Sequence, residues 1–165
     1  MSLTTVNTAV YNFLQGINGI TTLYKAAPVR MLGDAWQSGG ITGTPAYLHF
    51  SETDENRITV PAVHGGQKER TYQFMVVCLY QWIIPNDAAD TTGWADGQIQ
   101  LLDNIIARIE SDPFLGQGQG GLIFEGGQQA GGLKAVRGEP TLDPNGGKVM
   151  AWCHVEFTVT EIVQA

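Results

Sequence analysis

The side chains best suited to chemistry in this 165-residue chain are His49, His64 and His154 together with Cys78 and Cys153. A metal site draws its ligands from helical or CxxC-like spacing, which brings them to one point. None of the histidines has a partner at such spacing. Cys153 and His154 are adjacent, but neighbours on a strand point to opposite faces and do not form one site by themselves. Cys78 with a distant histidine would make a nucleophile pair; a cysteine inside an apolar strand is instead expected to be inert packing. Carboxylates gather in "SETDEN" and "NDAADTTGWAD". The first lacks the glycine and the length of a calcium loop. In the second, Asp90 and Asp96 suit the start of a helix, where unpaired N–H groups favour negative charge. No serine has the flanking glycines of a nucleophile elbow. These residues predict a protein that is not an enzyme and that holds neither metal nor cofactor.

The stretch "FLGQGQGGLIFEGGQQAGG", Phe114 to Gly132, holds eight of the 21 glycines in 19 residues. A phosphate loop follows a strand, opens a helix, and ends in Lys followed by Ser or Thr. Here a helical pattern precedes the run, strand-like Leu122 to Phe124 sits inside it, and Lys, Ser and Thr are absent. The run does not predict a phosphate site. Trp36, Trp82, Trp94 and Trp152 would suit a sugar platform, but two fall on strand faces and one on a helix face, which predicts core packing.

These residues must be held by a chain of 17.8 kDa, which fits a single domain over 1–165 large enough to bury a core. Hydrophobic residues make up 43% and charged residues only 15%, below the usual quarter. Gly, Gln, Thr and Asn cover the surface instead, which suits a protein packed against neighbours. The net charge is −7 and Lys and Arg are not clustered, which argues against a nucleic-acid reader gripping phosphates. The longest apolar run, "FMVVCLY", is too short to span a bilayer, and the N-terminus has no basic region before an apolar core. The expectation is a soluble chain made in a cytoplasm, with two free buried thiols.

Val6, Val10, Phe13, Leu14 and Ile17 recur at helical spacing, with Thr4 or Thr5 as the cap and Asn18-Gly19 as the stop. A short strand is expected around Leu23, then a loop broken by Pro28 and loop again over Ser38 to Pro45. "AYLHFSE" and "RITVPAV" read as a hairpin turning at "TDEN", with Pro61 marking an edge or bulge. "RTYQFMVVCLYQWII" is the strongest strand. Its two faces, one with Phe74, Val76 and Cys78 and the other with Met75, Val77 and Leu79, are both apolar, so Val77 is expected in a dry core. A second helix carries Trp94, Gln98, Leu102, Ile105, Ile106 and Ile109 on one face and ends at Asp112-Pro113. "GLKAVRGE" reads as a short strand and "KVMAWCHVEFTVTEIV" as a long amphipathic one. The order predicts an α+β fold: a mainly antiparallel sheet with two α-helices packed on one face. The glycine run at 114–132 is then a flexible or bulged loop or hairpin inside the domain, not a linker.

"TTVNTAVYNFLQGINGITTLY", "RTYQFMVVCLYQW" with its acidic loop and "GWADGQIQLLDNIIARI", and "VMAWCHVEFTVTEIV" resemble the opening helix, central strand with second helix, and closing strand of the tail terminator (tail completion) proteins of long-tailed bacteriophages. The loops at Gly33 to Pro45 and Gly116 to Gly132 depart from that pattern in length. The resemblance implies a structural virion protein, a hexameric homo-oligomeric ring at the head-proximal end of the tail. Its partners would be the tail tube protein and a head–tail connector protein, without specific nucleic-acid binding and without a membrane. Before assembly it would reside in the host cytoplasm. The neighbouring class of head-completion or connector-stopper proteins is the alternative, and a cysteine-dependent enzyme is a third. Under the ring reading, Leu122, Ile123 and Phe124 are candidate assembly contacts, ordered by a neighbouring subunit or the tube. A plain edge hairpin within the monomer is the competing expectation for the same triplet.

Overall fold

The computed structural model describes residues 1–28, 43–58, 67–85, 92–117, 122–124, 133–143 and 147–164. Expectations placed on Trp36, Pro61, His64, Asp90 and most of the glycine run lie outside these residues. The described elements run α1 (Leu3–Phe13), β1 (Thr22–Tyr24), β2 (Pro45–Ile58), β3 (Gln67–Ile83), α2 (Gly93–Glu110), β4 (Leu122–Phe124), β5 (Lys134–Arg137), β6 (Thr141–Leu142) and β7 (Lys148–Gln164). The fold is α+β, with a seven-stranded sheet ordered β1-β2-β3-β7-β4. β1 pairs parallel with β2, and every other described pairing is antiparallel. The far side of β7 is shared by three short strands in succession: β6 at Val149 and Met150, β5 at Cys153 to Glu156, and β4 at Val159 to Glu161.

α1 forms because Val6, Ala9, Val10 and Phe13 share one buried face and because Ser2 caps the free N–H groups. The cap is Ser2, whose Oγ accepts from the Thr5 N–H at 3.2 Å; Thr4 and Thr5, the expected caps, lie inside the first turn. The helix also stops earlier than Asn18-Gly19. It ends at Phe13, and Gly16 then turns the chain at φ 77°, a left-handed conformation that glycine adopts without steric cost. α2 buries Gln98, Leu101, Leu102, Ile105 and Ile109, with Asp96 in its first turn and Arg108 in its last. Arg108 joins the two helices: its Nε donates to the Phe13 carbonyl at 2.9 Å and its guanidinium lies 4.5 Å from the Phe13 ring centre.

Both helices pack on one face of the sheet. There Tyr72, Phe74, Val76, Cys78 and Tyr80 of β3 alternate inward with Cys153, Val155, Phe157 and Val159 of β7 and Ala46 and Leu48 of β2. Phe74 stacks on Phe157 at 5.7 Å and meets Phe50 edge-on at 5.6 Å. The other face is less covered. Leu79 and Met150 are buried there against Tyr47 and Trp152, but Val77 is only half-buried. Val77 therefore does not sit in a dry core; its chain neighbour Val76, with no exposed surface, does.

The expected turn at "TDEN" is absent. β2 continues through those residues to Ile58 and pairs with β3 up to Gln67, taking up one extra residue at a bulge between Phe50 and Glu52. Asp, Glu and Asn are poor strand formers in isolation. Cross-strand charge offsets this: Glu55 accepts from Arg70 at 2.7 Å and lies 3.2 Å from Lys68. Hydrogen bonds from Arg70 and then Lys68 hold the Glu55 carboxyl below its ordinary value.

Candidate functional site

Each chemically able side chain lies at a place set by strand register. His154 and Glu156 share the less covered face of β7, with His154 Nε2 3.0 Å from Glu156 Oε1. Lys134 of β5 donates to the same oxygen at 3.4 Å. Burial works against ionisation of Glu156, but the hydrogen bond from His154 and the nearby Lys134 outweigh it and hold the carboxyl below its usual range. His49 is exposed on β2, opposite Met75, so β3 lies between it and Glu156. Among the described residues no three His, Cys, Asp or Glu side chains converge as a metal site would require.

The two cysteines are neighbours, which spacing along the chain did not reveal. Cys78 of β3 and Cys153 of β7 are directly opposed, both on the helix-covered face and both buried as free thiols. Its contact with Cys153, followed by burial, pushes the Cys78 thiol well above its ordinary value. Cys153 is held lower by that same contact and by the charge of Arg137, against the effect of burial. Arg137 is opposed to Cys153 on β5; its Nε donates to Gln98 Oε1 at 3.0 Å and its guanidinium lies 6.0 Å from the Trp94 ring centre. Burial, then the nearby Cys153, raises the Tyr80 phenol as well.

A buried polar group holds the opposite end of the ribbon. The Glu161 carboxylate, only 5% exposed, accepts from the Tyr72 hydroxyl at 2.7 Å and pairs with the Met1 α-amino nitrogen. Burial, then the hydrogen bond to Glu161, pushes the Tyr72 phenol up to about 12 from 10.0. The folded value lies above the unfolded one, so neutral Tyr72 contributes its full stability below pH 10.0 and loses it as pH rises to about 12. The urea midpoint of Tyr72→Phe is therefore expected to be lower at neutral pH, where the hydrogen bond is missing. It should fall less than the parent's midpoint through that alkaline window; parallel slopes would show that Tyr72 is not the group that titrates.

The sheet ends in apolar surface near the start of α2. Trp82 and Ile84 from the end of β3, Trp94 of α2, Pro140, Thr141 and Leu142 around β6, and Val149 of β7 line a cleft of about 360 Å³. Leu142 is 69% exposed there; Ile83, 78% exposed, follows Trp82 in the chain and points to the other face of the sheet. Of the three tryptophans expected in the core, Trp82 and Trp94 are half-buried, packed against it and lining the cleft, and Trp152 is half-buried on the other face. The lining comes from four separate elements, so periodicity within any one of them could not show the cleft; the run "QWII" beside an acidic loop was the available signal.

The candidate contacts divide by face. Leu122 and Phe124 enter the main core, at 0% and 8% exposed, opposite Glu161 and Val159. Ile123 points to the other face, half-buried and opposite Thr160. The triplet is thus an edge strand on β7, pinned also by the Phe124 N–H donating to the Pro113 carbonyl at 2.7 Å. The burial of Leu122 and Phe124 on β7 accords with the competing expectation of an edge element within the monomer. The glycines that flank it closely lie outside the described residues. No helix among the described residues is long and apolar enough to cross a membrane. Comparison of the chain with protein-family models and with curated proteins gives no match.

Proposed function

We propose that this protein is a structural assembly component that closes into a ring, hexameric by its resemblance to tail terminators, at the head-proximal end of a phage tail tube. The ring ends tube growth and presents a surface to the head connector. The observation that carries the assembly reading is the apolar cleft at the end of the sheet, where exposed Leu142 stands beside Trp82 and Trp94. Contiguous apolar surface of this kind marks association sites in soluble proteins. A ring contact is head-to-tail and needs two different surfaces on each copy. The tail role itself rests on the sequence resemblance and on the order helix, long strand, helix, closing strand.

Light scattering of the chain alone and with tail tubes tests this. The expected result is a ring, free or on the tube. Leu142→Lys should keep the parent's thermal stability, since that side chain is largely exposed, and lose the ring or tube binding. A strict monomer that also fails to bind tubes would sink the proposal. Deleting the gene should leave heads and tails unjoined, with tails of irregular or excessive length. Tails of normal length beside defective heads would move the assignment to the connector-stopper class.

A further inference from the structure

We propose that Cys78 and Cys153 are a modification site, a buried dithiol that hydrogen peroxide closes into an intrachain disulfide across the two longest strands without displacing the fold. The inference is independent of the tail reading. Register carries it: the two residues are direct partners in the β3–β7 ladder, so both side chains rise from the same face toward each other. Opposed residues on antiparallel strands have Cα atoms about 4.5–5.5 Å apart, inside the span of about 4.4–6.8 Å that a disulfide bridges. No other cysteine competes, because these are the two that the chain contains. A pair formed in this way stays within one chain.

Access and activation favour Cys153 as the attacking sulfur. Its strand neighbour on the outer side is β5, a four-residue strand whose side chains are largely exposed, and short edge strands open at low free-energy cost. Cys78 lies between β2 and β7, in the middle of long ladders. The Arg137 guanidinium favours thiolate at Cys153. In the first step that thiolate attacks one oxygen of peroxide; the O–O bond breaks, a sulfenic acid forms, and hydroxide leaves to take up the proton Cys153 had released. The Cys78 sulfur then attacks the sulfenyl sulfur, the S–S bond forms, and the departing hydroxide takes the Cys78 proton. The dithiol loses two electrons, and one peroxide becomes two waters.

The test is peroxide treatment of the full chain under native conditions, followed by alkylation in denaturant, intact mass and a non-reducing peptide map. Free thiols are expected to fall from two to zero, with a loss of two hydrogen masses and one Cys78–Cys153 cross-link. The oxidised chain should keep its circular dichroism and show a raised urea midpoint that returns on reduction by a small dithiol. In Arg137→Gln the thiols should disappear more slowly while the same product forms. Oxygen addition to either sulfur, cross-linked dimers, thiols that survive native treatment, or a cross-linked chain without native dichroism would each overturn the proposal.

Discussion

Val76→Asp is expected to abolish the cooperative unfolding transition and leave the chain insoluble or unfolded. Val76 has no exposed surface and lies between Leu48 of β2 and Val155 of β7, under the helices. A carboxylate there has no water and no cationic partner among the residues opposed to it. Such burial costs several kcal/mol even when the group is neutralised by taking up a proton, and the stability of a whole domain is only about 5–15 kcal/mol. Val77→Asp is the matched control. Its side chain is half-buried on the other face, opposite Tyr47 and His154, so the new carboxylate reaches solvent and a titratable partner. Thermal denaturation of both variants checks the pair. A folded Val76→Asp with the parent's melting temperature would show that β3 presents its other face to the helices.

The second large effect is expected at β4. Leu122→Ser and Phe124→Ser should each destabilise the monomer by at least the about 2–5 kcal/mol typical of emptying a buried large site. In a domain of this size each kcal/mol moves the melting temperature by about 2–4 °C, so the double variant should melt far below the parent or not fold. Ile123→Ser should have a much smaller effect, because Ile123 is half-buried on the less covered face. Scanning calorimetry on monomeric protein separates these outcomes. If Leu122→Ser and Phe124→Ser melt like the parent and lose only ring formation, the two side chains belong to an interface between copies and β4 does not close this core.

The strands and helices themselves were legible where local periodicity was strong. β3 and β7 alternate over their full lengths, and α1 and α2 repeat apolar residues at helical spacing, because each must present one continuous face to the core. The α+β class and the placement of both helices on one face followed from that order. Capping was less legible, since "MSLTT" offers three hydroxyl side chains within four residues and only geometry selects Ser2. β6 was missed altogether: two residues are too few to show a period, and Thr141 and Leu142 become a strand by pairing with Val149 and Met150.

What the sequence alone determined is the set of long elements and the type of each, because burial of a helix stripe or strand face is written in neighbouring residues. What only the tertiary structure decided is which residues meet across elements. β2 runs through "TDEN" because Lys68 and Arg70 stand opposite, and Leu122 and Phe124 are core because β7 leaves its outer edge free for them. Cys78 meets Cys153, and two tryptophans share a cleft, through pairings between distant parts of the chain. Register is a property of two strands at once, and a shift of one residue in either would turn each of these side chains to the other face.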